Sequence, residues 1–293
     1  MIKLLQLSFQ GVSLGAVYAL VALGFVIVFK GSGVFNFAHG EFVMAGAYVV
    51  VAATATLPYG VGVAVALVVM VALALLVERV ILRRMIGESL LAVVMVTLGL
   101  AAMVRAAVAM IWGFQNQGFA DPIGPGVARL GDLVLPKTAL LTIAMSAVLL
   151  LALRWFFQHT RYGLALRATA SHVEAALAQG IDVRRMFALS WGIAGALAVA
   201  AGIFLGAFPR EVGLGMGFVA LNALPAIILG GFDSFAGAVV GGVVVGVLQV
   251  LAAGYLGDFG GGALQEVVPY LVMLLVLLVR PYGLFGSPDI ERV

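Results

Sequence analysis

The chain has 293 residues, of which 64% are hydrophobic and only 10% are charged. A soluble globular domain carries roughly a quarter charged residues, so most of this chain requires lipid as its solvent. The absence of cysteine excludes disulfides, thiolate metal sites and cysteine nucleophiles. The formal net charge of +3 reflects the loops of a membrane protein and gives no reason to expect a nucleic acid partner.

Apolar runs bounded by charges or turn residues predict an all-α polytopic bundle. In chain order they cover residues 7–29, 38–57, 60–82, 90–112, 138–158, 183–208, 218–232, 236–256 and 266–280. Most reach the length of about 20 residues that a bilayer demands. We therefore expect a single transmembrane domain over residues 1–293 with about eight to nine membrane segments. The short run 218–232 contains Pro225, which predicts a broken or partly inserted helix, and run 38–57 could likewise begin below the membrane surface.

Polar residues at the start of the second run have two interpretations. Asn36, His39 and Glu41 lie close together there. Ionisable groups at membrane depth are costly, so they normally face a water-filled path or a partner. The alternative is a helix start, in which Asn36 caps the helix and Glu41 interacts with the positive end of its dipole. In the fourth run, Thr97 and Arg105 are the plainest polar residues.

A polar segment of about residues 159–185 interrupts the apolar runs. Ser171 and Glu174 have the spacing of a capping box, and Gly180 suits the C′ position, which together predict a helix over residues 172–179. Its Val173, Ala176 and Leu177 fall at i, i+3 and i+4, so one face is apolar and free to dock. Glu174 is expected to cap this helix, which does not exclude contact with a partner.

Lysine and arginine are unevenly distributed between the two sets of alternate loops. The set that includes residues 159–185 carries most of them, whereas the long loop over about residues 113–137 carries few. The positive-inside rule therefore places residues 159–185 and the C-terminus in the cytoplasm, and the N-terminus and residues 113–137 outside.

Four motifs resemble the permease family of branched-chain amino acid ABC importers. They are Val34-Phe35-Asn36-Phe37-Ala38-His39-Gly40-Glu41-Phe42, Glu174-Ala175-Ala176-x-x-x-Gly180, Leu229-Gly230-Gly231-x-x-Ser234-x-x-Gly237-Ala238 and Arg280-Pro281-Tyr282-Gly283-Leu284-Phe285-Gly286. They occur in the family's order and are spread over nearly the whole chain.

The resemblance implies a multi-pass subunit of the cell inner membrane. Its partners would be two cytoplasmic ATP-binding subunits, a second permease that is identical or homologous, and a periplasmic solute-binding protein. The residues expected to couple to the ATPase are Ser171, Val173, Glu174, Ala175, Ala176, Leu177 and Gly180. The residues expected along the translocation path are Asn36, His39, Glu41, Thr97, Asn222 and Pro225.

The sequence gives no support for catalysis. No histidine lies in an H-E-x-x-H pattern, no serine lies in a G-x-S-x-G elbow, and no lysine lies in a G-K-[ST] phosphate loop. The chain is therefore expected to be a transport subunit without its own ATPase site, cofactor or metal.

The residues before Leu229 differ from the family's common Lys-Ala-Phe, because Asn222-Ala223-Leu224 stands there, followed by Pro225. Pro225 removes a backbone donor, which should leave the Leu221 carbonyl available to a solute or water. The expected cargo is a branched-chain or other hydrophobic amino acid, with urea-like amides and small carboxylates as alternatives. The main alternative function is an ion-coupled secondary transporter of a small polar solute, and an intramembrane enzyme ranks last.

Overall fold

The computed structural model describes residues 1–33, 35–85, 88–119, 126–130, 133–207, 211–232, 234–257 and 264–286. The α-helices are α1 (Ile2–Ser32), α2 (His39–Thr54), α3 (Tyr59–Val80), α4 (Leu90–Trp112), α5 (Lys137–His159), α6 (Arg161–Ser171), α7 (Val173–Ala178), α8 (Val183–Gly206), α9 (Val219–Gly230), α10 (Phe235–Leu256) and α11 (Leu264–Val279). Two 3-10 turns, Leu82–Met85 and Leu214–Phe218, follow α3 and precede α9.

The described chain is a helical bundle of the kind that the apolar runs predict. Among the described residues, six helices are long and apolar enough to cross a membrane, and three more apolar helices, α2, α11 and Leu214–Gly230, are shorter. The segment 113–137 departs from an all-α fold, because β1 (Val127–Leu130) and β2 (Leu133–Pro136) pair there as an antiparallel hairpin. Residues 120–125 and 131–132 of that segment, and Val34 of the first motif, lie outside the described residues.

Helix α1 forms the centre of the bundle and packs on α10, α8, α5 and α9. Its contact with α10 depends on small residues, since a Cβ at Gly15 would lie only 2.6 Å from the Cα of Val243. Gly242 and Gly246 of α10 approach the backbone of α1 equally closely. Glycines four apart let two helix backbones meet in lipid, so these motifs hold the bundle itself together.

Helix α2 begins well inside the bundle. After α1 the chain folds back along it, so that the ring of Phe35 stacks on the ring of Phe25 at 5.3 Å. His39, the first residue of α2, lies against Gly24, which is eight residues before Ser32 at the end of α1. Eight residues of helix measure about 12 Å, so α2 begins about 12 Å short of the end of α1.

Helix α9 is a short helix whose two ends are both held by other segments. Its 12 residues measure about 18 Å, which is less than a bilayer core. Its N-terminus meets the N-terminus of α2, where Gly40 lies against Gly217 and Ala220. At its other end the amides of Leu284 and Phe285 donate to the carbonyls of Leu229 and Gly230, at 2.8 Å and 3.1 Å. The motif that begins at Leu229 and the motif that begins at Arg280 therefore bind each other.

Candidate coupling helix and membrane path

The helix in the polar segment is shorter than the sequence predicts, and it begins differently. Helix α6 continues through Ser171, whose hydroxyl donates to the carbonyl of Arg167 at 3.0 Å. The N-cap of α7 is His172, in extended conformation, and it makes no side-chain capping bond. The expected capping box between Ser171 and Glu174 is therefore wrong, because Ser171 is bound within the preceding helix. Glu174 lies exposed in the first turn of α7.

Gly180 ends α7 in the conformation that only glycine adopts readily. Its φ is +77°. Its amide donates to the carbonyl of Leu177 at 2.9 Å, and the amide of Ile181 donates to the carbonyl of Ala176 at 3.0 Å. These two bonds form a Schellman motif with Gly180 at C′. No atom lies within 4 Å of a Cβ built at Gly180, so backbone conformation rather than space requires glycine here.

The apolar residues of α7 do not share one free face. Ala176 is 3% exposed and packs with Val183 and Phe187 of α8. Val173 and Leu177, in contrast, are 44% and 56% exposed. The prediction of a free face that includes Ala176 is therefore wrong: Ala176 anchors α7 on α8, while Val173 and Leu177 remain available for a partner.

At the start of α2, Asn36 and His39 have structural contacts. Both are buried, at 2% exposure. The Asn36 Oδ1 accepts from the amide of Ala38 at 3.1 Å, and its carbonyl accepts from the amide of His39 at 3.1 Å, which closes the turn that leads into the helix. The His39 ring packs on Gly24 and lies edge-on to the ring of Phe25, with centroids 5.0 Å apart.

Glu41 forms an ion pair inside the bundle with Arg105 of α4. The Arg105 Nη2 lies 2.5 Å and its Nε 3.1 Å from the same carboxylate oxygen. The carboxylate lies against Gly217, and the guanidinium carbon of Arg105 lies 4.2 Å above the ring centre of Phe218. The pair therefore joins α2, α4 and the entrance to α9. Both charges were predicted to lie inside the membrane segments, but their pairing was not predicted, although two unlike charges inside apolar runs are a signal for it.

This ion pair reaches the surface of the bundle. The side chain of Arg105 is 31% exposed, and Phe218 and Leu221 are 51% and 45% exposed. Thr97, in contrast, is fully buried, and its hydroxyl lies 3.0 Å from the carbonyl of Val94 and 3.4 Å from that of Phe35. An arginine at membrane depth is costly in lipid, so the surface around Arg105 calls for water or protein.

Asn222 lines a cavity of about 400 Å³ near the end of the bundle that carries residues 113–137. Its apolar lining includes Leu14 and Val250, and the Tyr18 hydroxyl donates to the Gln249 Oε1 at 2.7 Å beside it. The other polar lining residues are Glu211 and Gln265. Asn116 of the loop after α4 donates to Glu211 at 3.1 Å, which locates the cavity at that end.

Pro225 is buried in α9. It has no amide to donate to the carbonyl of Leu221, but that carbonyl has a partner in another helix. The hydroxyl of Tyr270 in α11 donates to the carbonyl of Leu221 at 2.8 Å. The expectation that this carbonyl is available to a solute is therefore wrong. Pro225 instead creates an attachment point for α11.

The chain is similar to one family of membrane transport components over most of its length. The family model described as branched-chain amino acid transport system / permease component matches residues 7–277. The high-affinity branched-chain amino acid transport system permease protein LivH is 31% identical in both Salmonella typhimurium and Escherichia coli, over 99% of this chain and 97% of theirs. Its counterpart BraD of Pseudomonas aeruginosa is 29% identical over 99% of this chain and 98% of its own.

A solved structure shares the fold. It is described as PsaBC from Streptococcus pneumoniae in complex with Fab, and it aligns with a TM-score of 0.50 over 93% of this chain and 91% of the solved chain. Because the identity is 14%, this likeness shows the fold alone.

Proposed function

The chain belongs to the permease component family of branched-chain amino acid transport systems, and we propose that it forms half of the translocation path of an ATP-driven importer in the cell inner membrane. The proposed cargo is a branched-chain or other hydrophobic amino acid. The observation that carries the proposal is the similarity to permease proteins over nearly the full length of both chains.

The second half of the path is proposed to come from another permease subunit, identical or homologous. It would cover the surface around Arg105, where a partly exposed guanidinium and the exposed ring of Phe218 lie at membrane depth. Charged groups in membrane segments normally face a protein interior or a water-filled cavity. Glu41 is proposed to form the wall of this path together with Arg105, whereas Asn36, His39 and Thr97, which are all buried, would support that wall from inside the bundle.

Energy is proposed to come from two cytoplasmic ATP-binding subunits that contact α7. Glu174, Ala175, Val173 and Leu177 are exposed on this helix, and its anchor Ala176 connects it to α8. Helix α8 packs on α1, α2 and α3, so movement of α7 would reach the core of the bundle. A periplasmic solute-binding protein would deliver the cargo from the opposite side.

Purification by an affinity tag on this chain tests the proposal against its alternative, an ion-coupled secondary transporter. After coexpression with its ATP-binding subunits, the tagged chain should retain them in stoichiometric amounts through detergent extraction. A chain that is isolated alone and accumulates solute in an ion gradient would instead be a secondary transporter. The cargo is tested separately, by measuring uptake of a labelled branched-chain amino acid in the presence of urea-like amides or small carboxylates as competing solutes.

The orientation of the bundle is proposed from its charge distribution, with the N-terminus outside and the C-terminus and residues 159–185 in the cytoplasm. Cysteines introduced singly at Gln115 and Gln179, both exposed, should react from opposite sides in this cysteine-free chain. A membrane-impermeant maleimide added to intact cells should label only Gln115→Cys. A permeant maleimide should label both and serves as the control, whereas equal labelling by the impermeant reagent would contradict the orientation.

Asn222 is proposed to contact the cargo in the cavity of about 400 Å³ near residues 113–137. Asn222→Leu removes an amide that hydrogen-bonds a polar solute, and we expect uptake to fall about five- to ten-fold, the effect of one such bond. Membrane abundance should stay unchanged, because the side chain is only partly buried. Asn222→Gln, which keeps the amide, should retain more uptake; normal uptake by Asn222→Leu would show that the residue only packs.

A further inference from the structure

A groove of about 720 Å³ lies on the surface of the bundle at the end where α5 leads into α6. Helix α1 forms its floor, and α5 and α10, which both pack on α1, form its walls. The apolar lining includes Leu23, Ile27, Leu150, Val239 and Val240. The groove is therefore mainly apolar along these walls and open to the surroundings of the bundle.

One end of this groove is cationic. Arg154 and Arg167 line it and are exposed, and Lys30 lines it with its ammonium 5.2 Å from the ring centre of Phe235. Within the described part of the chain, ion pairs join Arg83, Arg105 and Arg185 to carboxylates, and neither Arg154 nor Arg167 has such a partner. No carboxylate is among the described residues that line the groove.

Aromatic residues indicate the depth of this cationic end. Trp155 and Tyr162 are 61% and 62% exposed and lie beside it along the chain, and Trp155 stacks on His159. Exposed Trp and Tyr collect where the headgroups of a bilayer meet its hydrocarbon. The cations therefore lie at headgroup level, and the apolar walls extend from them into the hydrocarbon.

We propose that this groove binds an anionic phospholipid. The phosphate lies on the guanidinium groups of Arg154 and Arg167, and one acyl chain lies along Ile27 and Val240. Paired arginine donors match phosphate geometry, and basic pockets between membrane helices bind anionic headgroups. A second copy of this chain fits less well, because a symmetric contact would bring the same cations together. The inference needs only the membrane placement of the helices and is independent of cargo and energy source.

The test is retention of lipid by the full-length chain. The protein is released from nanodiscs that contain equal phosphatidylglycerol and phosphatidylcholine, and bound lipid is measured by native mass spectrometry. Wild type should retain phosphatidylglycerol selectively. R154Q/R167Q should lower the apparent affinity of the protein for phosphatidylglycerol about thirty-fold, the factor expected for two cations at a membrane surface. The matched control R161Q/R184Q removes two exposed cations from the same polar segment but outside the groove and should change nothing.

A second variant separates the lipid from other occupants. Val240→Trp fills the apolar wall but keeps both arginines, and it should also lower phosphatidylglycerol retention. Unchanged retention in R154Q/R167Q or in Val240→Trp would overturn the proposal. Displacement of the lipid by soluble glycerol 3-phosphate would show a site for free phosphate only. Cross-linking of Val240→Cys to a neighbouring permease subunit in membranes, by a maleimide reagent that carries a photoreactive group, would show that protein covers the groove and would also overturn the proposal.

Discussion

Replacement of Gly180 by valine should abolish transport while the protein still inserts into the membrane. Gly180 has a φ of +77° and closes the Schellman motif at the end of α7. A β-branched residue in this conformation is strained by about 1–3 kcal/mol, which lowers the population of the correctly ended helix roughly 5- to 150-fold. Helix α7 is only six residues long and is anchored through Ala176, so it has little packing to offset this strain. Uptake and membrane abundance are the two measurements.

Gly180→Asn is the matched control, because asparagine tolerates the left-handed conformation better than other residues with a side chain. No atom would obstruct the Cβ of either substitution, so the two variants differ mainly in backbone strain. We expect Gly180→Asn to keep a substantial part of the activity. If Gly180→Val transports normally, α7 does not couple the movement of the ATP-binding subunits to the bundle.

Glu41→Gln should greatly reduce the amount of folded protein. This change leaves the guanidinium of Arg105 at membrane depth without its carboxylate. Loss of one partner costs about 3–5 kcal/mol in a fully buried pair, and less here because Arg105 is partly exposed. Such a loss is a large share of the total stability of a typical protein. Thermal unfolding in detergent and membrane abundance measure the effect, and unchanged values for Glu41→Gln would contradict the pair.

The double variant E41Q/R105Q separates stability from transport. It removes both charges, so stability should recover most of the way to wild type. Uptake should nevertheless remain well below that of the wild type, because the proposed path loses its fixed charges. The control pair is Glu78 and Arg83, which bind through two hydrogen bonds of 3.0 Å and 2.8 Å at the far end of α3. E78Q/R83Q should leave uptake near normal if it folds.

The membrane helices could be predicted from the sequence because length and apolar character are properties of each segment alone. Gly180 was predictable for the same reason, since the end of a helix depends on a few neighbouring residues. Ser171 was not: whether it begins α7 or ends α6 depends on how far α6 extends, which the capping pattern does not determine. The orientation of Ala176 toward α8 is likewise a tertiary contact.

The polar contacts inside the bundle could be identified only from the structure. Glu41 and Arg105 are 64 residues apart, and the carbonyl of Leu221 meets Tyr270 over 49 residues. The charge of Glu41 and the carbonyl of Leu221 could both be recognised in the sequence as groups that need partners in lipid surroundings. It could not choose the partners, because that choice depends on which helices are neighbours and on their depths in the bundle.

The most direct test of the account is uptake by the complete assembly in proteoliposomes. The tagged chain, its partner permease and the ATP-binding subunits are reconstituted, with the solute-binding protein and labelled leucine on one side and ATP on the other. We predict accumulation that requires ATP hydrolysis, is unaffected by ionophores that abolish ion gradients, and is lost with Gly180→Val. Uptake by this chain alone, driven by an ion gradient without ATP, would contradict the account.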